Sequence, residues 1–155
     1  MLIKLDMKNA FDKVKLPFLF RVLLSFGFIP EFVNLIKACR ERPWIAPLVN
    51  GKPTEFFQAS RGLRQGCPLS PFLYILMVET LNKQIIVEKE VGYIPGIKIS
   101  QGINPINHSL FADDSLLLGG ASLKIALAFK DILQTYCIIS STLINEKKVM
   151  FMDGM

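Results

Sequence analysis

Short apolar runs and longer stretches with apolar residues at helical spacing alternate along this chain. LIKL, residues 2–5, reads as a buried strand ending at Asp6, and MKNAFDKV just after it begins to read as a helix. Helical spacing follows near residues 17–27 and 30–41, and Asn50-Gly51 predicts a tight hairpin turn between two short strands. From Ser70 a long apolar run predicts a helix to residue 88, with Ser70 as N-cap and Pro71 at the first helical position. A strand over 96–100, a hairpin over 107–118 closed by Gly119 and Gly120, a helix over 122–137 and a final strand over 148–152 complete the pattern. Such mixed elements with several antiparallel neighbours predict an α+β fold with helices on one face of a sheet.

Within the hairpin, Asp113 and Asp114 interrupt the apolar run HSLFADDSLLLG. Burying an unpaired charge costs several kcal/mol, so something must stabilise these acids. At the tip of a turn, neighbouring side chains escape the opposite-face geometry of an extended strand and can share a ligand. Two readings fit: an Asx-type turn whose aspartates bond their own backbone, or a divalent cation site. Asp6, also an acid at the end of a buried strand, favours the second. Three acids at two strand ends offer the oxygen ligands that hard cations prefer. Such a site suits phosphoryl transfer, in which two metals about 3.5 to 4 Å apart clamp the attacking and leaving oxygens. His108 has no Cys or His cluster around it and reads as structural or surface.

Between the acids lies SRGLRQGCPLSPFLYILMVETL. Gly62, Gly66 and Pro68 around Arg61, Arg64 and Gln65 suit a loop whose backbone comes close to a ligand. Guanidinium groups and a helix N-terminus facing one space favour phosphates, whereas solvated arginines at an ordinary loop-to-helix junction are the alternative.

Composition sets limits. The 155 residues fit one domain, and a hydrophobic content of 51% is ample for a core. Net charge is +5, and it is unevenly spread: residues 1–64 hold 11 Lys or Arg against 5 acids, the remainder 7 against 8. A phosphate-binding face is therefore expected to be mostly N-terminal. Cys39, Cys67 and Cys137 are odd in number and lack ligand spacing, which suggests reduced thiols in an intracellular protein. FLYILMV is too short for a membrane span and is followed by Glu79, so no membrane partner is expected. Signal pattern, repeats and low-complexity tracts are absent from the sequence.

Taken together, these segments resemble the reverse transcriptases of non-LTR (LINE-type) retrotransposons. KLDMKNAFDKV is similar to the first catalytic motif of the polymerase palm, RGLRQGCPLSPFLYIL to the second, FADDSLLL to the third and SSTLINEKKVMF to a weaker fourth. The similarity extends to GFIPEFVNLIKAC and PLVNGKPTEFF. Group II intron enzymes usually carry another residue pair before the glutamine, and RNA-dependent RNA polymerases usually carry Gly where this chain has Ala112. Ser140 and Ser141 stand where the family usually has Ser-Gly, and Lys147 beside Lys148 leaves the fourth motif's alignment ambiguous.

The resemblance implies a polymerase palm-like antiparallel sheet with helices packed on one face. It implies an RNA-directed DNA polymerase using Mg²⁺ or Mn²⁺, an RNA template, a DNA primer and deoxynucleoside triphosphates. Asp6 and Asp113 would be the principal metal ligands and catalytic acids, with Asp114 in support. Phe11, Arg64, Gln65, Gly66 and Lys148 would contact the nucleotide. An aromatic at Phe11 would pack under the sugar where a 2'-hydroxyl would clash, although Phe11 as a core residue of the following helix is the bland alternative. Lys148 matches a lysine that can donate a proton to pyrophosphate. Residues 1–155 are then expected to be a palm core without fingers or thumb, supplied by flanking subdomains in a longer protein, and incomplete alone. A non-catalytic nucleic-acid-binding remnant is the other expectation.

Overall fold

The computed structural model describes residues 1–41 and 44–152. β1 (Leu2–Lys8) leads through turns over 9–13 into α1 (Leu16–Ser25) and α2 (Pro30–Glu41). Four short strands follow: β2 (Trp44–Ile45), β3 (Leu48–Val49), β4 (Lys52–Pro53) and β5 (Phe57–Gln58). Then come α3 (Ser70–Glu90), β6 (His108–Phe111), β7 (Asp114–Leu118), α4 (Leu123–Ser140), β8 (Leu143–Ile144) and β9 (Met150–Met152), with a 3₁₀ turn over Glu146–Lys148 before β9.

The main sheet is antiparallel and built around β1. β7 runs along one edge of β1, with Leu2 opposite Leu118 and Asp6 opposite Asp114, and β6 pairs β7 on the outside. Two strands share the other edge: β9 opposite Leu2 to Lys4 and β8 opposite Met7 and Lys8. Alternation along β1 sends Ile3, Leu5 and Met7 into the core and leaves Lys4, Asp6 and Lys8 on the opposite face. One layer of helices covers the core face. α3 contributes Leu73, Tyr74, Met77, Leu81 and Ile85, the three-and-four spacing of an amphipathic helix, and α4 adds Phe129, Ile132, Leu133 and Tyr136. Side chains such as Leu19, Met77 and Leu81 are fully buried, each contributing roughly 1.5–3 kcal/mol. The result is the α+β, palm-like sheet with helices on one face that the sequence predicts. The β2–β5 and β3–β4 ribbons stand apart from the main sheet, with Trp44, Leu48 and Phe56 exposed.

Several local expectations are corrected. MKNAFDKV is not the start of a helix: β1 continues through Lys8, and Asn9 at φ 51° turns the chain. In place of a strand over 96–100 there is a single bridge, Ile97 with Ile106. The final strand over 148–152 divides into the 3₁₀ turn and β9. Ser70 does not cap α3, because its hydroxyl donates instead to the Arg64 carbonyl at 2.7 Å. His108 is structural, held between the carboxamide oxygens of Asn107 and Asn82. Among the described residues no helix is long and apolar enough to cross a membrane.

Candidate active site

Asp6 lies where the outer edge of β1 passes from β9 to β8, and the 3₁₀ turn joining those strands arches over it. The Asn145 amide N–H donates to the Asp6 carbonyl at 2.8 Å and its Nδ2 to Oδ2 at 3.0 Å, while Lys148 Nζ donates to Oδ1 at 3.0 Å. The Asp6 side chain is only 14% exposed but that of Lys148 is 64% exposed, so solvent and salt screen this pair as they do a surface salt bridge. The Lys148 hydrogen bond, then that of Asn145, holds the Asp6 carboxyl below the usual carboxylate range. Lys148 is raised in return, by its hydrogen bond to Asp6 first.

β6 and β7 are joined by a two-residue turn, Ala112-Asp113, with Ala112 at φ 51°. The Asp113 carbonyl accepts from Met7 N–H at 3.0 Å, which brings the tip of the hairpin against the end of β1. Asp113 is exposed and shares a cleft of about 300 Å³ with Asp6, Phe11, Gln65, Asn145 and Lys148. Asp114, directly opposite Asp6 in the sheet, opens instead on a neighbouring cleft with Lys4 and Lys147, and Lys4 Nζ lies 3.5 Å from its Oδ2. Asp6 borders both clefts. Among the described residues no three acidic, His or Cys side chains are arranged as a ready metal-binding cluster, and Asp6 stands between the other two acids.

Phe11 is half-buried in the turns after β1, where its ring stacks on Tyr74 of α3 with centroids 4.9 Å apart. Tyr74 is buried, and desolvation, followed by the charges of Asp113 and Asp6, pushes its hydroxyl well above the usual range. The 61–66 loop lies alongside Phe11: Leu63 N–H donates to the Phe11 carbonyl at 2.7 Å and Gly62 N–H to that of Val14 at 2.8 Å. Gln65 Nε2 reaches Asp12 Oδ1 at 3.1 Å, and Arg40 Nη2 ties the Gly62 carbonyl from behind at 2.9 Å. Arg64, Gln65 and Gly66 border a further opening of about 500 Å³ beside Phe11. Phe11 thus meets both the acid cleft and the loop, while its inner face packs on the core.

Of the residues singled out from sequence, Asp6, Asp113, Phe11, Gln65 and Lys148 share one cleft, Arg64 and Gly66 border the adjoining one, and Asp114 faces the side of Lys4. Sequence reasoning missed Asn145, Tyr74 and Lys4. Asn145 had a signal, three residues before Lys148 in the fourth motif; for Tyr74, only its position in the apolar run of α3.

A model of the family described as reverse transcriptase (RNA-dependent DNA polymerase) matches residues 1–154. An uncharacterized mitochondrial protein of Arabidopsis thaliana is 48% identical over 68 residues, 44% of this chain and 56% of that protein. The uncharacterized 149 kDa protein of transposon TX1 from Xenopus laevis is 29% identical over 146 residues, 94% of this chain and 11% of its own length. The Pol polyprotein of the type-2 retrotransposable element R2DM of Drosophila melanogaster is 27% identical over 143 residues, covering 92% and 13%. Apo telomerase from Candida tropicalis, truncated from its C-terminal domain, superposes with a TM-score of 0.70 at 16% identity, over 99% of this chain and 30% of that one, a likeness of fold. The chain thus spans between 11% and 56% of the length of these curated relatives.

Proposed function

The chain belongs to the reverse transcriptase (RNA-dependent DNA polymerase) family, and on that premise we propose that it forms the palm of an RNA-directed DNA polymerase of non-LTR retrotransposon type. The observation that carries this reading is the cleft where Asp6 and Asp113 open beside Phe11 and Gln65. Two carboxylates with room for water and substrate phosphates suit Mg²⁺ or Mn²⁺, which bind through one or two carboxylates and keep several waters. When bound there, such metals lower the pKa of a primer 3'-hydroxyl and neutralise the departing pyrophosphate. Asp114, paired with Asp6 across the strands, adds negative charge to the neighbouring cleft and gives support rather than primary ligation.

The chain's own side chains supply the positioning. Phe11, backed by Tyr74, presents a rigid ring under the sugar and excludes a 2'-hydroxyl. Arg64, Gln65 and Gly66 face the nucleotide and template from the loop, and Lys148 Nζ holds a proton that can pass to pyrophosphate. An RNA template, a DNA primer and deoxynucleotides are the partners of this reading, with fingers and thumb from flanking polymerase subdomains.

The test is Mg²⁺-dependent deoxynucleotide binding by the full chain, with primer extension on RNA and DNA templates and each nucleotide class supplied separately. Binding that falls in Asp6→Asn and in Asp113→Asn supports the reading, and nucleotide binding indifferent to both refutes it. RNA·DNA duplex binding that ignores both substitutions and the metal would favour a non-catalytic nucleic-acid-binding module.

A further inference from the structure

Asp6 makes two contacts of different kinds. Asn145 is neutral, and its grip is double, through the backbone amide at 2.8 Å and the carboxamide at 3.0 Å. Lys148 is charged, 64% exposed at its side chain, and touches the other carboxylate oxygen. The Lys148 N–H also donates to the Asn145 carbonyl at 2.9 Å, closing the 3₁₀ turn. Side chains three residues apart in such a turn lie on the same side, which is why both reach one carboxylate.

A neutral donor on Oδ2 orients the carboxylate without cancelling its charge. The remaining oxygen, Oδ1, still calls for a cation, and in this structure an ammonium on a long flexible stem fills that place. We propose that Asn145 is a positioning residue for Asp6: it fixes Oδ2, so that Oδ1 alone is exchanged between Lys148 and a divalent cation. Exchange at Oδ1 also frees the Lys148 ammonium to turn toward the cleft it already borders. This rests on the reading of Asp6 as a metal ligand.

The experiment is titration of the full chain with Mn²⁺ alone, following free Mn²⁺ by electron paramagnetic resonance, with folding monitored by circular dichroism. Partners that orient a metal ligand typically contribute 10- to 100-fold to metal affinity, so Asn145→Ala is expected to weaken Mn²⁺ binding by about tenfold or more. Lys148→Gln, which removes the competitor, is expected to tighten it, a direction that general loosening of the fold does not produce. Should Asn145→Ala fail to fold, Asn145→Ser, too short to reach the carboxylate, must show the same weakening. Unchanged affinity in a folded Asn145 variant, or weaker binding in Lys148→Gln, overturns the proposal while leaving the metal site standing. Absence of Mn²⁺ binding in the wild type, matched by Asp6→Asn, overturns the metal reading and this proposal with it.

Discussion

Gly62→Ala is the substitution for which the structure gives the most complete arithmetic. Gly62 has φ +88°, and a Cβ there would sit 3.0 Å from the Asp12 carbonyl oxygen and 3.3 Å from its Cα. Neither side can retreat freely, because the flanking bonds, Gly62 N to Val14 O at 2.8 Å and Leu63 N to Phe11 O at 2.7 Å, hold loop and turn together. Placing alanine in the positive-φ region costs about 1–2 kcal/mol. Relieving the clash stretches at least one of those bonds, worth about 0.5–1.5 kcal/mol. Reduced freedom of the unfolded chain returns about 0.4–1 kcal/mol. The sum is a destabilisation of about 0.5–3 kcal/mol, centred near 2.

Gly66→Ala is the control, since Gly66 has φ +78° but nothing within 4 Å of its Cβ position. It shares the backbone cost without the clash, so the two variants should differ by about 1 kcal/mol, or about 2–4 °C in Tm for a chain of this size. Urea unfolding followed by circular dichroism measures the difference, with an unchanged m-value as the sign that only stability has moved. Gly62→Ala should also loosen Gln65 and Phe11 and weaken nucleotide binding. A Gly62→Ala variant no less stable than Gly66→Ala would refute the reasoning.

Other outcomes are equally concrete. Leu19→Ala, at a side chain with no exposed surface, should cost about 2–5 kcal/mol in the same unfolding assay, and a loss below 1 would mean the core is looser than described. Phe11→Val, placed in a polymerase with fingers and thumb, should admit ribonucleotides about tenfold more readily, and unchanged sugar selectivity would return Phe11 to a packing role. A depressed acid adds stability above its ordinary value, 3.8 for Asp6, that is lost as pH falls through the folded value. A raised lysine adds stability below its ordinary value, 10.5 for Lys148, that is lost as pH rises through the folded value. The wild-type advantage over Lys148→Gln should therefore fill the interval between and close at both ends, and a pH-independent difference in urea unfolding counts against it. Binding to an RNA·DNA duplex, set by phosphate contacts of the basic residues, should fall by about tenfold or more between 50 and 200 mM salt, as fluorescence anisotropy would show.

What the sequence made legible were features that local chemistry writes directly. β1 and the acid hairpin were visible because a short apolar run that stops at an acid marks where a buried strand reaches the surface, and α3 because Pro71 and its apolar spacing announce a helix. The turns after β1 were misread, since MKNAFDKV has helical composition, while tertiary bonds from Gly62 and Leu63 hold that stretch open. Ser70 looked like a cap because nothing local reveals that the Arg64 carbonyl will be within reach. In the site, the carboxylates were legible, but the pairing of Asp114 with Lys4 was not, because it depends on strand register. Asn145 was the hardest case, meeting Asp6 across 139 residues of sequence.

The pairing of β1 on both edges gives its numbering a parity. Odd positions, Ile3, Leu5 and Met7, belong to the core, and even positions, Lys4, Asp6 and Lys8, belong to the cleft side. With β7 on one flank and β8 and β9 on the other, the strand cannot slide to absorb an inserted or deleted residue. A single-residue change of length between positions 2 and 5 would put the residues on one side of it out of phase with those on the other, so that either the apolar residues before it or the carboxylate after it would face the wrong way. A two-residue change restores the alternation. Substitutions along this strand are thus graded in their effect, whereas its length is all or nothing. Related chains that keep the acid should differ here in side chains freely and in length only by even steps.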